Sequence, residues 1–156
     1  MTLDAQERVL HASLQAAQAA AQARELPYSG TVSAHDAWAL FSGGEALLVD
    51  VRTAEERKFV GLVPGSQHVA WATGTSLTRN PRFTRELEAK VGGKNAVVLL
   101  LCRSGNRSAQ AAEAAAKAGF THVFNVAEGF EGDLDDEQRR GARNGWRFHG
   151  LPWHQD

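Results

Sequence analysis

The segment from residue 95 to residue 119 constrains the fold more than any other part of the sequence. It begins with a continuous apolar run, NAVVLLL, over residues 95–101, and it ends with SAQAAEAAAKAG over residues 108–119. A short run that is apolar throughout is typical of a strand buried on both faces, as in a parallel sheet. The alanine-rich stretch predicts a helix with Gly119 at its carboxyl end. A buried strand followed by a helix favours an α/β fold.

The rest of the chain repeats this alternation. EALLVDV, residues 45–51, and THVFNV, residues 121–126, predict two more buried strands. Capping residues mark three helix starts outside these strands: Ser33 with Asp36, Thr53 with Glu56, and Asn80 followed by Pro81. Strands that alternate with helices favour a parallel sheet, and ligands of such sheets bind at the carboxyl ends of the strands.

The first residues form a separate pattern. Residues 4–24 are rich in helix-forming side chains and predict one helix, with Leu3, Leu10, Leu14, Ala17 and Ala21 on one face. Pro27 and Gly30 then interrupt the helix. We therefore expect an N-terminal helical extension over residues 1–29 and a domain over residues 30–156. The helix either packs on this domain or brings two copies together as a homodimer.

Composition limits the classes of partner. The chain has 156 residues and a formal net charge of -1, which gives no indication of a nucleic-acid or membrane partner. Its apolar runs are much shorter than the roughly 20 residues that span a bilayer. The first residues, MTLDAQERVLHASLQAAQ, lack the features of a secretory signal. The single cysteine excludes an internal disulfide, and we expect a cytoplasmic protein.

That single cysteine, Cys102, stands where the apolar run ends, in the loop CRSGNRS. Gly105 permits a tight turn whose backbone N–H groups converge, and a helix is expected to begin near Ser108. The positive end of this helix and the charges of Arg103 and Arg107 favour anions, so the thiol should ionise easily. We expect an exposed, nucleophilic thiolate beside an anion site. The alternative is a cysteine that packs as a small buried hydrophobe.

The length of the loop separates two chemistries that use a thiolate in an anion site. In cysteine phosphatases an arginine follows the cysteine by six residues, whereas Arg107 follows Cys102 by five. The shorter loop predicts a smaller cradle, which fits one additional sulfur atom on the cysteine better than a tetrahedral phosphoryl group.

Four stretches resemble the rhodanese-like sulfurtransferases, in the order that this family has them. CRSGNRS resembles its active-site loop, written CRxGxR, and LLVDVRTAEER, residues 47–57, resembles its amino-terminal signature. GLVPGSQHVAW, residues 61–71, and FNVAEGFEG with the later NGWRFHGLPW resemble two further elements. The resemblance covers residues 30–153 and implies a three-layer α/β domain with a mostly parallel sheet. Glu128-Gly129-Phe130 departs from the Gly-Gly that many members have there.

The resemblance also implies a reaction and its residues. Cys102 would take a sulfane sulfur from a donor such as thiosulfate, become a persulfide, and pass the sulfur to cyanide or an external thiol. The loop residues would bind the donor and the transferred sulfur: Arg103, Ser104, Gly105, Asn106, Arg107 and Ser108. Neither a metal nor an organic cofactor is implied. The alternatives are an interaction module without catalysis, or a cysteine phosphatase or arsenate reductase.

Asp50 and Arg52 end a strand at the same sheet edge as Cys102. We expect them to form a supporting ion-pair and hydrogen-bond set with Glu55 or Glu56. In a phosphatase, Asp50 would instead be the general acid. Trp71 either lines the mouth of the site or packs in the core.

Overall fold

The computed structural model describes residues 10–155, in which helices and strands alternate. The helices are α1 (Ala12–Ala23), α2 (Ala34–Ser42), α3 (Ala54–Phe59), α4 (Phe83–Val91) and α5 (Asn106–Lys117). The strands are β1 (Gly30–Val32), β2 (Leu47–Asp50), β3 (Gln67–His68), β4 (Ala72–Thr73), β5 (Thr78–Arg79), β6 (Val97–Leu101) and β7 (His122–Val126). No helix within residues 10–155 is long and apolar enough to cross a bilayer.

Five strands form a parallel sheet in the order β1-β7-β6-β2-β3, while β4 and β5 pair as a small antiparallel hairpin. Strand β6 lies at the centre, and all five of its residues are buried. Alternate residues of β6 enter two separate apolar clusters, with Leu99 among the residues of α1 and α2 and Leu100 among those of α4 and α5. The sheet therefore has helices on both faces, which confirms the expected three-layer α/β architecture.

Helix α1 lies against β1, and three positions of the expected apolar face are buried: Leu14, Ala17 and Ala21. The contact is close, because a Cβ atom on Gly30 would lie 2.7 Å from the carbonyl oxygen of Ala17. The expected helix began at residue 4, and its part over residues 4–9, like Leu3, lies outside the described residues. The described part of α1 thus packs on the sheet of its own chain.

Two helix starts differ from the expectation. Asn80 accepts the N–H of Arg82 at 3.0 Å, and its side-chain amide donates to the Ala70 carbonyl, so it stabilises a turn before the helix. Helix α4 begins at Phe83, with Arg82 rather than Asn80 at its N-cap. Helix α5 begins at Asn106 instead of near Ser108, because Gly105, at a φ of 104°, ends the turn two residues earlier. The capping pair of Thr53 and Glu56 is confirmed as a complete capping box.

Candidate active site

Cys102 follows the last residue of the central strand, at the carboxyl edge of the sheet. Its side chain accepts a hydrogen bond from the Gly105 N–H, with 3.1 Å between nitrogen and sulfur. The Ser108 hydroxyl lies 3.2 Å from the same sulfur. The loop therefore surrounds Sγ, and Cys102 is only 1% exposed. The expectation of an exposed thiol is wrong, because the tight turn at Gly105 and the early start of α5 cover the sulfur atom.

The loop is held from outside by a second backbone segment. The Phe130 N–H donates to the Cys102 carbonyl at 2.7 Å, and the N–H groups of Glu131 and Gly132 donate to the Arg103 carbonyl at 2.9 and 3.1 Å. These bonds fix the start of the loop against the segment that follows β7. We call residues 127–150, which form this side of the site, the wall segment.

Two glycines permit the backbone of the loop to contact the backbone of the wall segment directly. A Cβ atom on Gly105 would lie 2.2 Å from the Ala127 carbonyl oxygen, and a Cβ atom on Gly129 would lie 2.4 Å from the Arg103 carbonyl carbon. Both glycines also have positive φ values, which side chains disfavour. Each segment therefore has a glycine at the position where the backbone of the other segment is too close for a side chain.

Arg107 is held by Glu56, which lies on α3. The guanidinium donates to both carboxylate oxygens, at 2.7 and 2.8 Å, in a bidentate geometry. The hydrogen bond to Glu56 raises the pKa of Arg107 above its usual value, and the charge of Glu56 adds to this effect. The helix that follows β2 is thus fastened to the active-site loop, and Arg107 reaches the site as a paired cation.

The same ion pair lowers the pKa of Glu56 from its usual 4.5 to about 2. Burial alone would raise this pKa, but the hydrogen bonds from Arg107 and the Thr53 N–H, with the charges of Arg107 and Arg52, outweigh burial. Glu56 consequently stays ionised across the physiological pH range and keeps Arg107 in position.

Asp50 and Arg52 form a buried ion pair behind the loop. Arg52 Nη2 lies 2.7 Å from the Asp50 carboxylate, and both side chains are fully buried. Arg57, and not Glu55 or Glu56 as expected, is the third member of this set, with its guanidinium 3.0 Å from the same carboxylate oxygen. Arg52 also donates to the Gly61 carbonyl. The Asp50 carboxylate is thus occupied by two arginines that brace the end of β2.

The other expected site residues fall into two groups. Gly105 and Ser108 are buried beside the sulfur, whereas Ser104 is half-buried and Arg103 and Asn106 are exposed on the outer side of the loop. Among residues 10–155, no carboxylate pairs with Arg103. Arg103 is therefore the loop cation that remains available to an anion from solution.

Trp71 packs in the core. It is 5% exposed, its ring meets that of Phe83 edge to face with 5.2 Å between centroids, and Arg79 covers its ring at 3.5 Å. Its indole N–H donates to Gln110 of α5. The packing interpretation of Trp71 is the one that the structure supports.

Two residues of the site have contacts that the sequence does not predict. Asn125 of β7 lies beside Ser108, with 2.5 Å between its Oδ1 and the hydroxyl oxygen. Glu128 accepts the Gly145 N–H at 3.0 Å and lies 2.5 Å from His149 Nε2, which ties together the two ends of the wall segment. A polar residue in an apolar strand was the one available signal for Asn125. The only signal for Glu128 in the sequence is its departure from the Gly-Gly of the family pattern.

The fold and the loop together define the class: an α/β domain of the rhodanese type, with a cysteine at the end of the central strand whose sulfur accepts the Gly105 N–H and lies beside the Ser108 hydroxyl. The chain belongs to the rhodanese-like domain family, whose model matches residues 33–135.

The chain is similar to proteins from three bacteria. The uncharacterized protein RP600 of Rickettsia prowazekii is 36% identical over 115 residues, which cover 73% of this chain and 87% of that protein. The crystal structure of Rv0390 from M. tuberculosis has a TM-score of 0.72 and 43% identity, over 83% of this chain and 99% of that one. The polysulfide-sulfur transferase homodimer of Wolinella succinogenes, at 22% identity and a TM-score of 0.56, shares the fold over 89% of this chain and 87% of its own.

Proposed function

We propose that this protein is a sulfurtransferase that moves a sulfane sulfur from an anionic donor, such as thiosulfate, to an external thiol through a persulfide on Cys102. The observation that carries the proposal is the environment of Sγ, which receives the Gly105 N–H and lies beside the Ser108 hydroxyl at the amino end of α5. Such an environment favours a thiolate, because hydrogen-bond donors and the helix terminus stabilise its negative charge.

The reaction needs two displacements. In the first, the Cys102 thiolate attacks the outer sulfur of thiosulfate, a bond forms between the two sulfur atoms, and sulfite leaves with the electron pair of the broken S–S bond. In the second, an acceptor thiolate or cyanide attacks the outer sulfur of the persulfide, and the Cys102 thiolate leaves. No net oxidation of the protein occurs. Because Cys102 is the single cysteine of the chain, the acceptor has to come from outside.

The charges around the loop suit an anionic donor. Arg103 is exposed and free to meet the donor, while Arg107 is already neutralised by Glu56. We therefore assign initial attraction of the donor to Arg103 and maintenance of the loop to Arg107. Backbone N–H groups from Arg103 to Ser108 would bind the transferred sulfur, because a loop of this length converges on a single atom.

The test compares wild type with Cys102→Ala in thiocyanate production from thiosulfate and cyanide. Wild type is expected to turn over and to gain one sulfur in intact mass after thiosulfate alone, and the variant is expected to do neither. Because the substitution removes one buried atom, unfolding curves should show that the variant remains folded. Wild type that neither turns over nor gains sulfur would favour an interaction module, and efficient hydrolysis of aryl phosphates would favour a phosphatase.

A further inference from the structure

Asn125 is a buried polar side chain that the two displacements do not use. It lies near the end of β7, is 6% exposed, and donates from Nδ2 to the Gly105 carbonyl oxygen at 3.2 Å. A carbonyl oxygen can only accept, so this contact orients the side-chain amide with Oδ1 toward Ser108. The Asn125 oxygen therefore faces the hydroxyl that also lies beside the reactive sulfur.

The Ser108 hydroxyl has one hydrogen and two acceptors within reach. Its oxygen lies 3.2 Å from Cys102 Sγ and 2.5 Å from Asn125 Oδ1, and the Ser108 side chain is fully buried. One hydrogen can serve only one of these acceptors at a time. The acceptor that does not receive the hydrogen loses a hydrogen bond, and both acceptors belong to buried side chains.

We propose that Asn125 is a positioning residue that competes with Cys102 for the Ser108 hydroxyl hydrogen. While Sγ is a thiolate, the hydroxyl donates to it, because a hydrogen bond to a charged acceptor is stronger than one to an amide oxygen. When Sγ is a neutral thiol or part of a persulfide, it is a weak acceptor, and the hydroxyl turns to Asn125. The hydrogen stays bonded to the Ser108 oxygen throughout, so only a rotation about the C–O bond occurs.

This exchange has a consequence for sulfur transfer, and that consequence rests on the proposed function. The thiolate loses its charge when it attacks the donor, and a hydroxyl with no second acceptor would then be buried without a partner. Leaving a buried donor unsatisfied is costly, so a ready acceptor makes the attack easier. When the acceptor thiol later displaces the persulfide, the hydroxyl returns to the departing Cys102 thiolate and stabilises it.

The experiment is a titration of the Cys102 thiolate by its ultraviolet absorbance, with Cys102→Ala as the blank. Asn125→Leu keeps the number of side-chain atoms and removes the acceptor, so Ser108 can serve only Sγ. We expect the titration midpoint to fall by about one pH unit. Ser108→Ala should raise the midpoint by about the same amount. The double variant should match Ser108→Ala, because Asn125 acts through Ser108.

A purely structural role for Asn125 predicts a different pattern, since a loosened site would move both single variants in one direction. A midpoint that rises or stays constant in Asn125→Leu overturns the proposal, as does a double variant that differs from Ser108→Ala. If the leucine variant does not fold, Asn125→Asp replaces it. The aspartate should raise the midpoint, and at least half of that rise should vanish in the Ser108→Ala background; a rise independent of Ser108 also overturns the proposal.

The leucine and alanine variants leave unchanged the charged groups on the loop and on the elements packed against it: Arg103, Arg107, Glu56, Asp50, Arg52, Glu128 and Glu131. The Gly105 carbonyl also keeps the N–H of Ala109 as a partner when Asn125 is replaced. The titration needs no sulfur donor. Failure of the proposed function, read from thiocyanate and intact mass, is therefore separate from failure of the competition at Ser108.

Discussion

The two sides of the site are built in different ways. The loop that begins at Cys102 lies between β6 and α5, and peptide groups near in sequence set its shape. The wall segment contains no helix or strand, and its two ends are joined by the side-chain contacts of Glu128 together with backbone bonds such as that from the Trp146 N–H to the Gly129 carbonyl. The comparison teaches that the reactive sulfur belongs to a loop whose turn is formed within a few residues, while the enclosure belongs to a segment whose two ends, distant in sequence, have to be held together. Substitutions on the two sides should differ accordingly.

The largest effect is expected at Gly105, where loop and wall segment touch. Gly105→Ala would place a Cβ atom 2.2 Å from the Ala127 carbonyl oxygen, at a φ of 104°. Loop or wall then has to move, and a displacement of about 1 Å at a catalytic group can lower the rate roughly 100-fold. We expect at least that loss in thiocyanate production.

Gly44→Ala is the matched control for Gly105→Ala. Gly44 also has a positive φ, 78°, but nothing lies within 4 Å of its Cβ position. The control carries the backbone strain without the collision, so it should retain nearly full activity. Equal losses in the two alanine variants would show that strain alone, and not the contact between loop and wall, accounts for the effect.

The next effect concerns acid stability on the loop side. The pKa of Glu56 is lowered to about 2 in the folded protein, so its carboxylate stabilises the fold above pH 4.5. This contribution is lost as the pH falls from 4.5 through 2, and the lowering corresponds to about 3 kcal/mol. Denaturant unfolding between pH 5 and pH 2 should show the loss. In Glu56→Gln the free energy of unfolding should depend less steeply on pH over this range. An equally steep profile in that variant would assign the acid sensitivity to other carboxylates.

Most of the fold is predictable from the sequence because its signals are local. The apolar run of β6, the capping box at Thr53 and the glycine after α5 each act within a few residues. Strand β1 has only three residues, and β3 has two, which is too short for a detectable period. Their place in the sheet is set by partners far away in the chain.

The features of the site also fall into two groups, those set by local sequence signals and those set by contacts between distant residues. The position of Cys102 and the turn at Gly105 follow from the order of strand, loop and helix. The bond between Arg107 and Glu56 joins residues 51 positions apart, and Asn125 reaches Gly105 over 20 positions. No local pattern encodes such contacts. The burial of the thiol was missed for the same reason, since it depends on how tightly α5 and the wall segment close around the loop.

A smaller effect on activity is expected from Glu56 at neutral pH. Glu56→Gln keeps a hydrogen-bond acceptor but removes the charge that holds Arg107, so kcat/KM with thiosulfate should fall about 10-fold. Glu55→Gln, at an exposed position on the same helix, is the control and should behave as wild type. A Glu56→Gln variant with unchanged kcat/KM would mean that Arg107 does not need its partner to shape the loop.

The smallest effect is expected on the wall side, at Glu128. Burial acts to raise the pKa of this carboxyl, but the hydrogen bonds from the Gly145 N–H and from His149 outweigh burial and lower it. Glu128→Gln keeps an acceptor for the Gly145 N–H and weakens the contact with His149, so the free energy of unfolding should fall by about 1 kcal/mol. Glu137→Gln, which removes an exposed ion pair with Arg139 in the same segment, should change it less.

The kinetics of the Glu128→Gln variant sharpen the comparison between the two sides. The backbone hydrogen bonds from the N–H groups of Phe130, Glu131 and Gly132 to the loop do not involve the Glu128 side chain. We therefore expect kcat to be unchanged and KM for thiosulfate to rise at most a few-fold, because the enclosure loosens while the sulfur cradle stays intact. Steady-state kinetics of Glu128→Gln and Glu56→Gln, measured side by side with thiosulfate, test this expectation. A fall in kcat at Glu128 as large as that at Glu56 would mean that side-chain contacts of the wall segment shape the cradle itself.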